Sequence, residues 1–230
     1  MNSNFKAKGK TGEIWLYDPI GNSYFGDSMS AKMFQKEVAA LGKVDTINLH
    51  INSPGGDVFA GFAIYNQLKA HTADIIVDID GVAASIASII AMSGNTIRMA
   101  KNAMMMIHNP QGVAIGDEDE MDRVKALLRT VKGNLAQTYV DRTANKQDQV
   151  QAWMSDETWF SAEAAVQHGF ADQMTESNQV TASFDFSSFR NVPDTLKDRI
   201  RAVVPTPKRD LYRTPQAANA RTVAALCAAH

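Results

Sequence analysis

Apolar residues recur at two spacings along this chain, every second residue in short stretches and every third or fourth in the stretches between them, and the two alternate from Gly12 to His108. Gly12–Asp18 reads as a first strand, followed by Ile20–Phe25 as a loop or partner strand. Ser28–Leu41 reads as an amphipathic helix with Ser30 as its cap, Met33, Phe34, Val38 and Leu41 inward and Gly42 as its stop. The pattern then predicts a strand over 46–52, a helix over 57–70, a strand over 73–80, a tight turn over 81–84 and a buried helix over 85–93. Two short strands near 96–99 and 103–107 follow. Such alternation predicts an α/β fold with a mainly parallel sheet, whose reactive groups gather where strands end and helices begin.

A different texture begins at Gly116. Asp117-Glu118-Asp119-Glu120 supplies an acidic helix start, and Met121, Val124, Leu127, Leu128, Val131, Leu135 and Tyr139 keep helical spacing to about Ala144. At ~1.5 Å per residue a helix over about 117–144 is around 40 Å long, too long to lie wholly against a small core. It is expected to project as a handle that packs on another subunit, the alternative being a solvated helix lying along its own domain. A short helix over 146–154 capped near Asn145, a turn at Ser155–Thr158, strand-like Trp159-Phe160 and a helix over 162–168 ended by Gly169 complete a domain spanning 12–174. Residues 1–11 are expected to be a flexible N-terminus. Residues 175–230 are expected to form a tail, partly disordered, with one amphipathic helix over 193–204 behind Pro193.

Composition narrows the classes. With 45% hydrophobic residues among 230, the chain can bury a real core. A net charge of −2 gives no field for nucleic acid, and no run approaches the roughly 18 apolar residues of a membrane span. The single cysteine, Cys227, excludes an internal disulfide framework and a cysteine-based metal site. The N-terminus has basic residues but no apolar run behind them, so it does not read as a signal peptide. No glycine-rich phosphate loop with a following Lys-Ser or Lys-Thr is present, so the chain does not read as an ATPase.

The candidate chemistry centres on Ser85. At the first turn of a helix its hydroxyl lies near the positive end of the dipole and beside unpaired N–H groups, a seat for a nucleophile or for an ordinary N-cap. A serine nucleophile needs a base, and histidine is matched to that task. Of five histidines, His50 falls in a strand, His71 at a helix end, His168 beside a helix-stopping glycine and His230 at the chain end. His108 emerges from the apolar strand Ala103–Ile107 ahead of Asn109-Pro110, where a fixed base belongs. Ser88 is a rival hydroxyl, but inside the helix it is expected to bond its own backbone. Pro54-Gly55-Gly56 lets a backbone approach closely.

Ser53-Pro54-Gly55-Gly56, Gly81-Val82-Ala83-Ala84-Ser85 and Met106-Ile107-His108-Asn109-Pro110, in this order, resemble the Clp-type serine peptidases. The closing segment Phe160–Asp172 extends the resemblance to roughly Gly12–Met174. Asp45-Thr46-Ile47, Gly56–Gly61 and Glu157–Glu163 are more similar to the head maturation (prohead) proteases of tailed bacteriophages than to the cellular enzyme.

The resemblance implies a ClpP/crotonase-like core of repeated β-β-α and βα units, with the handle helix joining stacked rings of a homo-oligomer. It implies Ser85 as nucleophile, His108 as base and Glu157 as the acid, at a position where the cellular family has Asp; neighbouring Asp156 is the alternative. The backbone N–H groups of Gly56 and Ile86 are implied as the oxyanion hole, and no metal or organic cofactor is required. Substrate is expected as an added strand between Gly56–Val58 and Pro110–Val113. Scaffold and capsid proteins are the expected substrates, inside the assembling phage head in the host cytoplasm, and the tail is expected to bind scaffold or be self-cleaved. An ATPase-dependent Clp subunit is the alternative; from other classes come a crotonase-type acyl-CoA enzyme and a non-catalytic scaffold protein. Neither nucleic acid nor membrane is an expected partner.

Overall fold

The computed structural model describes residues 5–22 and 28–177, and beyond them 184, 186, 187, 189–194 and 196. The expected tail helix over 193–204 lies for the most part outside the described residues. Eight strands form one sheet: β1 (Phe5–Lys8), β2 (Thr11–Leu16), β3 (Thr46–Ser53), β4 (Asp74–Ala84), β5 (Thr96–Ala100), β6 (Met104–Ile107), β7 (Thr158–Ser161) and β8 (Gln173–Thr175). The helices are α1 (Ala31–Ala40), α2 (Val58–Lys69), α3 (Ile86–Ala91), α4 (Glu118–Thr143), α5 (Gln147–Ser155) and α6 (Ala162–Gln167).

The main sheet runs β1-β2-β3-β4-β5-β8, parallel throughout except where β1 meets β2. Strand β1 corrects the expectation of a flexible N-terminus. Phe5 pairs with Ile14 and packs on the core, so an extended edge strand can bury a side chain there even though Lys6 and Lys8 make the segment look solvated.

Strand β4 departs most from the sequence reading. The tight turn expected over Gly81–Ala84 is instead a continuation of the strand across a register shift. Ile51 stands opposite Ile79, but Ser53 stands opposite Ala83, so β4 accommodates two extra residues against β3. The amide of Asn52 secures this bulge by accepting the Val82 N–H at 3.2 Å. Before the bulge β4 pairs with β5; after it, Val82–Ala84 pair in parallel with Met104–Met106 of β6, which pairs antiparallel with β7. The sheet thus forks at Gly81 and delivers the end of β4 between β3 and β6.

Alternation sorts the two faces. Ile47, Leu49 and Ile51 of β3 and Ile75, Val77 and Ile79 of β4 point into a core shared with Phe34, Ile64, Leu68 and the wholly buried α3. Full burial of each such side chain is worth about 1.5–3 kcal/mol, which makes this face dominate the packing. On α1, Ser30 caps as expected, its hydroxyl accepting the Met33 N–H, and Gly42 (φ 68°) follows the helix. Met33 is 48% exposed, however, and does not belong to the inner face.

The opposite face carries a polar lattice. His50 presents Nδ1 to Asp80 at 2.9 Å and Nε2 to Glu13 at 3.1 Å, the Tyr17 hydroxyl donates to Asp80 at 2.7 Å, and Trp15 stacks on His50. Burial disfavours the imidazolium, but the hydrogen bond and charge of Asp80, joined by Glu13 and Asp78, outweigh it and raise the His50 pKa above its ordinary value. Burial and the same Asp80 contact raise the Tyr17 pKa.

Helix α4 has 26 residues, about 39 Å of rise. Of the apolar series read along it, Val131, Leu135 and Tyr139 are buried, together with Ala136, while Met121 and Leu127 are 41% and 50% exposed. No residue from Glu118 to Thr130 is buried. The expected inner face is therefore real only in the second half of the helix. Asp117 caps the first turn by accepting the Glu120 N–H, and the acidic residues behind it complement the dipole.

Candidate active site

The fork in the sheet sets the register that builds the site. Because Ala84 pairs with Met106, Ser85 leaves β4 beside the end of β6, and its N–H donates to the Met106 carbonyl at 2.9 Å. Ser85 adopts φ 56°, ψ −128°, a conformation that costs a non-glycine residue about 1–3 kcal/mol. This sharp passage from strand to α3 turns the side chain outward. Its hydroxyl caps no helix N–H; it is hydrogen-bonded with Nε2 of His108 at 2.7 Å. The N-cap reading of Ser85 is thereby excluded by geometry. Ser88 behaves as the internal hydroxyl it was expected to be, bonded to the Ser85 carbonyl and to the buried Tyr139 hydroxyl.

Gly55 and Gly56 have reasons for being glycine that differ. At φ 94°, Gly55 lies so close to Ser85 that a Cβ would stand 2.7 Å from both the Ala84 carbonyl and the Ser85 Cβ. Gly56 lies against Ile20, where a Cβ would meet the Ile20 carbonyl at 2.1 Å. Ile20 clasps this turn, donating to the Gly55 carbonyl and accepting from the Asp57 N–H, both at 2.8 Å. The N–H groups of Gly56 and Ile86 donate no hydrogen bond among the described residues. Both residues line one cavity with Ser85 and His108, as an oxyanion hole requires. That cavity has a volume of about 350 Å³ and is bounded further by Val58, Pro110, Gln111, Leu135, Tyr139 and Phe189.

Burial pulls the His108 pKa below its ordinary 6.5, the nearby Glu157 carboxylate pulls it up, and the Arg190 guanidinium pulls it down. The net direction is down, so the imidazole is neutral and ready to accept a proton at neutral pH.

Of the two acidic residues after α5, Glu157 is 1% exposed and sits at φ 51°, whereas Asp156 is exposed. Glu157, not Asp156, is the carboxylate whose charge acts on His108. No hydrogen bond joins the two side chains in this structure. Glu157 Oε1 accepts the Asn191 N–H at 2.8 Å, and Oε2 is buried without a hydrogen bond among the described residues, 3.8 Å from Nε of Arg190. Phe189, Arg190 and Asn191 were missed by the sequence reading, which placed them in the tail. Their only signal was the scatter of phenylalanines among polar residues after Met174.

No group of three or more His, Cys, Asp or Glu residues arranged to hold a metal occurs among the described residues.

Residues 5–178 match the family described as Clp protease. The chain belongs to the Clp protease family. It is a serine-type peptidase. Among similar curated proteins, the "ATP-dependent Clp protease proteolytic subunit" of Streptococcus gordonii is 35% identical over 173 residues, 73% of this chain and 86% of the relative. The protein of that description from Streptococcus thermophilus is 31% identical over 172 residues, with coverage of 73% and 86%. "ATP-dependent Clp protease proteolytic subunit 1" of Leifsonia xyli is 30% identical over 171 residues, with coverage of 74% and 85%. The family match stops short of Phe189–Asn191.

Proposed function

We propose that this Clp-family peptidase cleaves proteins through Ser85 as nucleophile, His108 as general base and acid, and Glu157 as the carboxylate that stabilises the imidazolium. The observation that carries this reading is the 2.7 Å hydrogen bond between Ser85 Oγ and His108 Nε2, beside two N–H groups that donate no hydrogen bond among the described residues. Ser85 Oγ adds to the scissile carbonyl carbon while its proton passes to His108 Nε2, and the oxyanion is held by the Gly56 and Ile86 N–H groups. His108 then gives the proton to the leaving amine, which departs and leaves an ester on Ser85. Water, deprotonated by His108, adds to that ester, and collapse of the second tetrahedral species frees the new carboxyl terminus and restores the serine hydroxyl.

The biological setting we propose is maturation of a phage head, with scaffold and capsid proteins as substrates and the enzyme enclosed in the assembling head within the host cell. The similarity of Asp45-Thr46-Ile47, Gly56–Gly61 and Glu157–Glu163 to head maturation proteases supports it. A ring-forming homo-oligomer joined through the first half of α4 accords with the exposed Met121 and Leu127. The names of the curated relatives favour a second setting, a subunit fed by an ATPase.

Intact mass spectrometry of wild-type, Ser85→Ala and His108→Ala proteins, incubated with the capsid and scaffold proteins encoded beside this gene, tests the reading. Cleavage by wild type alone, without nucleotide, is expected. Cleavage only with an ATPase and ATP supports the second setting. Failure of a fluorophosphonate to label Ser85, together with no cleavage, refutes the catalytic assignment.

A further inference from the structure

Beyond the family match, Phe186, Val192 and Leu196 are buried in a second apolar cluster with Val82, Ala84 and Met106, and Phe184, Phe189 and Trp159 pack against it. The cluster sits on the forked end of the sheet, on the strands that carry Ser85 and His108. Between its anchors the chain passes directly over the acid of the site. The Asn191 side chain donates to the Asp156 carbonyl at 2.6 Å while its backbone N–H donates to Glu157 Oε1 at 2.8 Å. Arg190 Nε lies 3.8 Å from Glu157 Oε2. The Phe189 ring meets His108 edge to face at a centroid distance of 5.6 Å and lines the cavity that holds Ser85.

We propose that Phe189–Asn191 completes the peptidase site of this chain: Asn191 and Arg190 are positioning residues for Glu157, and Phe189 is a specificity wall of the cleft beside His108. The proposal rests on Ser85, His108 and Glu157 being the triad. For Nε2 of His108 to accept the Ser85 proton, the neutral ring carries its hydrogen on Nδ1 beforehand and needs an acceptor there, both before the transfer and in the imidazolium that results. Asn191 occupies one oxygen of Glu157 and leaves the other, Oε2, buried and without a hydrogen bond among the described residues. A glutamate has one more rotatable bond than an aspartate, and the contact to Oε1 restrains that extra freedom. Glu157 and Arg190 are the charged groups that act on His108, with opposite effects, so removing the Arg190 charge raises the His108 pKa.

The test uses the full chain and a fluorogenic peptide library varied on both sides of the scissile bond, with fluorophosphonate labelling of wild type and Ser85→Ala run in parallel. Labelling of wild type but not of Ser85→Ala establishes the nucleophile independently of the tail. Phe189→Ala is expected to change the relative kcat/KM of large and small flanking residues by about tenfold. Asn191→Ala removes the side-chain bond to the Asp156 carbonyl that seats the Asn191 N–H on Glu157, and is expected to lower kcat by about tenfold to a hundredfold with little change in KM. Arg190→Gln, at a side chain 70% exposed and so safe for folding, is expected to move the acid limb of kcat/KM to higher pH, and Arg190→Lys to keep it in place. Unchanged selectivity in Phe189→Ala together with an unchanged acid limb in Arg190→Gln overturns the proposal. So does a gain in kcat/KM across the library for any of the three, because the segment would then be a barrier rather than part of the site.

Discussion

Ser85 and His108 are 23 residues apart in sequence yet share a 2.7 Å hydrogen bond, because the parallel pairing of Ala84 with Met106 ends both strands at one place. In the proposed mechanism the two act as a unit, Ser85 as nucleophile and His108 as base. Ser85→Ala and His108→Ala are each expected to lower kcat by about 10⁴–10⁶-fold, and the double variant to lose little more. Additive losses in single-turnover cleavage would contradict the pairing.

The strain at Ser85 separates stability from activity. At φ 56° an alanine is as strained as the serine, whereas glycine is at ease. Ser85→Gly is therefore expected to be more stable than Ser85→Ala by about 1 kcal/mol in urea unfolding, with both inactive. Equal stabilities would show that the turn relaxes once the hydroxyl is gone.

A base whose pKa is pulled down by burial stays unprotonated in mild acid. The acid limb of kcat/KM is expected to have its midpoint below the ordinary 6.5, activity falling as His108 protonates. Glu157→Gln removes the charge that pulls this pKa up, so its acid limb moves still lower while kcat drops by about 10³–10⁴-fold. Asp156→Asn, an exposed position, is expected to change neither. A larger loss in Asp156→Asn than in Glu157→Gln would reverse the choice of acid.

The order of strands and helices was legible because Ile47, Leu49, Ile51 and Ile75, Val77, Ile79 alternate cleanly, and burial of one sheet face imposes that period. Ser85 and His108 were legible as an ordered set of short motifs, since each sits at a strand end where local residue types dictate the turn. The fork at Gly81 was not, because small residues serve a turn and a bulged, deeply buried strand equally well. Nor was the exposure of Met121 and Leu127: helical spacing reports a face and says nothing of what covers it. Phe189–Asn191 escaped for a third reason. A segment that docks on a finished fold through a few aromatic side chains and backbone N–H groups leaves no periodicity to read.

On the polar face of the sheet, His50 has carboxylate oxygens at both ring nitrogens, so only the doubly protonated imidazolium donates to both. Its folded pKa is raised, so the stabilisation is present in full below the ordinary 6.5 and is lost as pH rises through the folded value. The urea midpoint of wild type is expected to fall over that rise, and His50→Gln to lack that component. Parallel profiles for the two proteins would show that the lattice holds without the charge.

Helix α4 supplies the remaining prediction. Its second half is fixed by Val131, Leu135 and Tyr139, while its first half keeps Met121 and Leu127 41% and 50% exposed on a helix otherwise rich in charge. Apolar side chains left open on this first half of the helix contribute little to the fold of a single chain, so their replacement does not unfold it. If they join copies of the chain, a charge placed there has to be desolvated on association and opposes it. Met121→Glu with Leu127→Glu is expected to leave the thermal midpoint of a dilute, dissociated sample within a few degrees of wild type and to reduce the sedimenting species to a smaller assembly. An unchanged sedimentation coefficient across the working concentration range would place the subunit contact elsewhere and make α4 a solvated helix of its own domain.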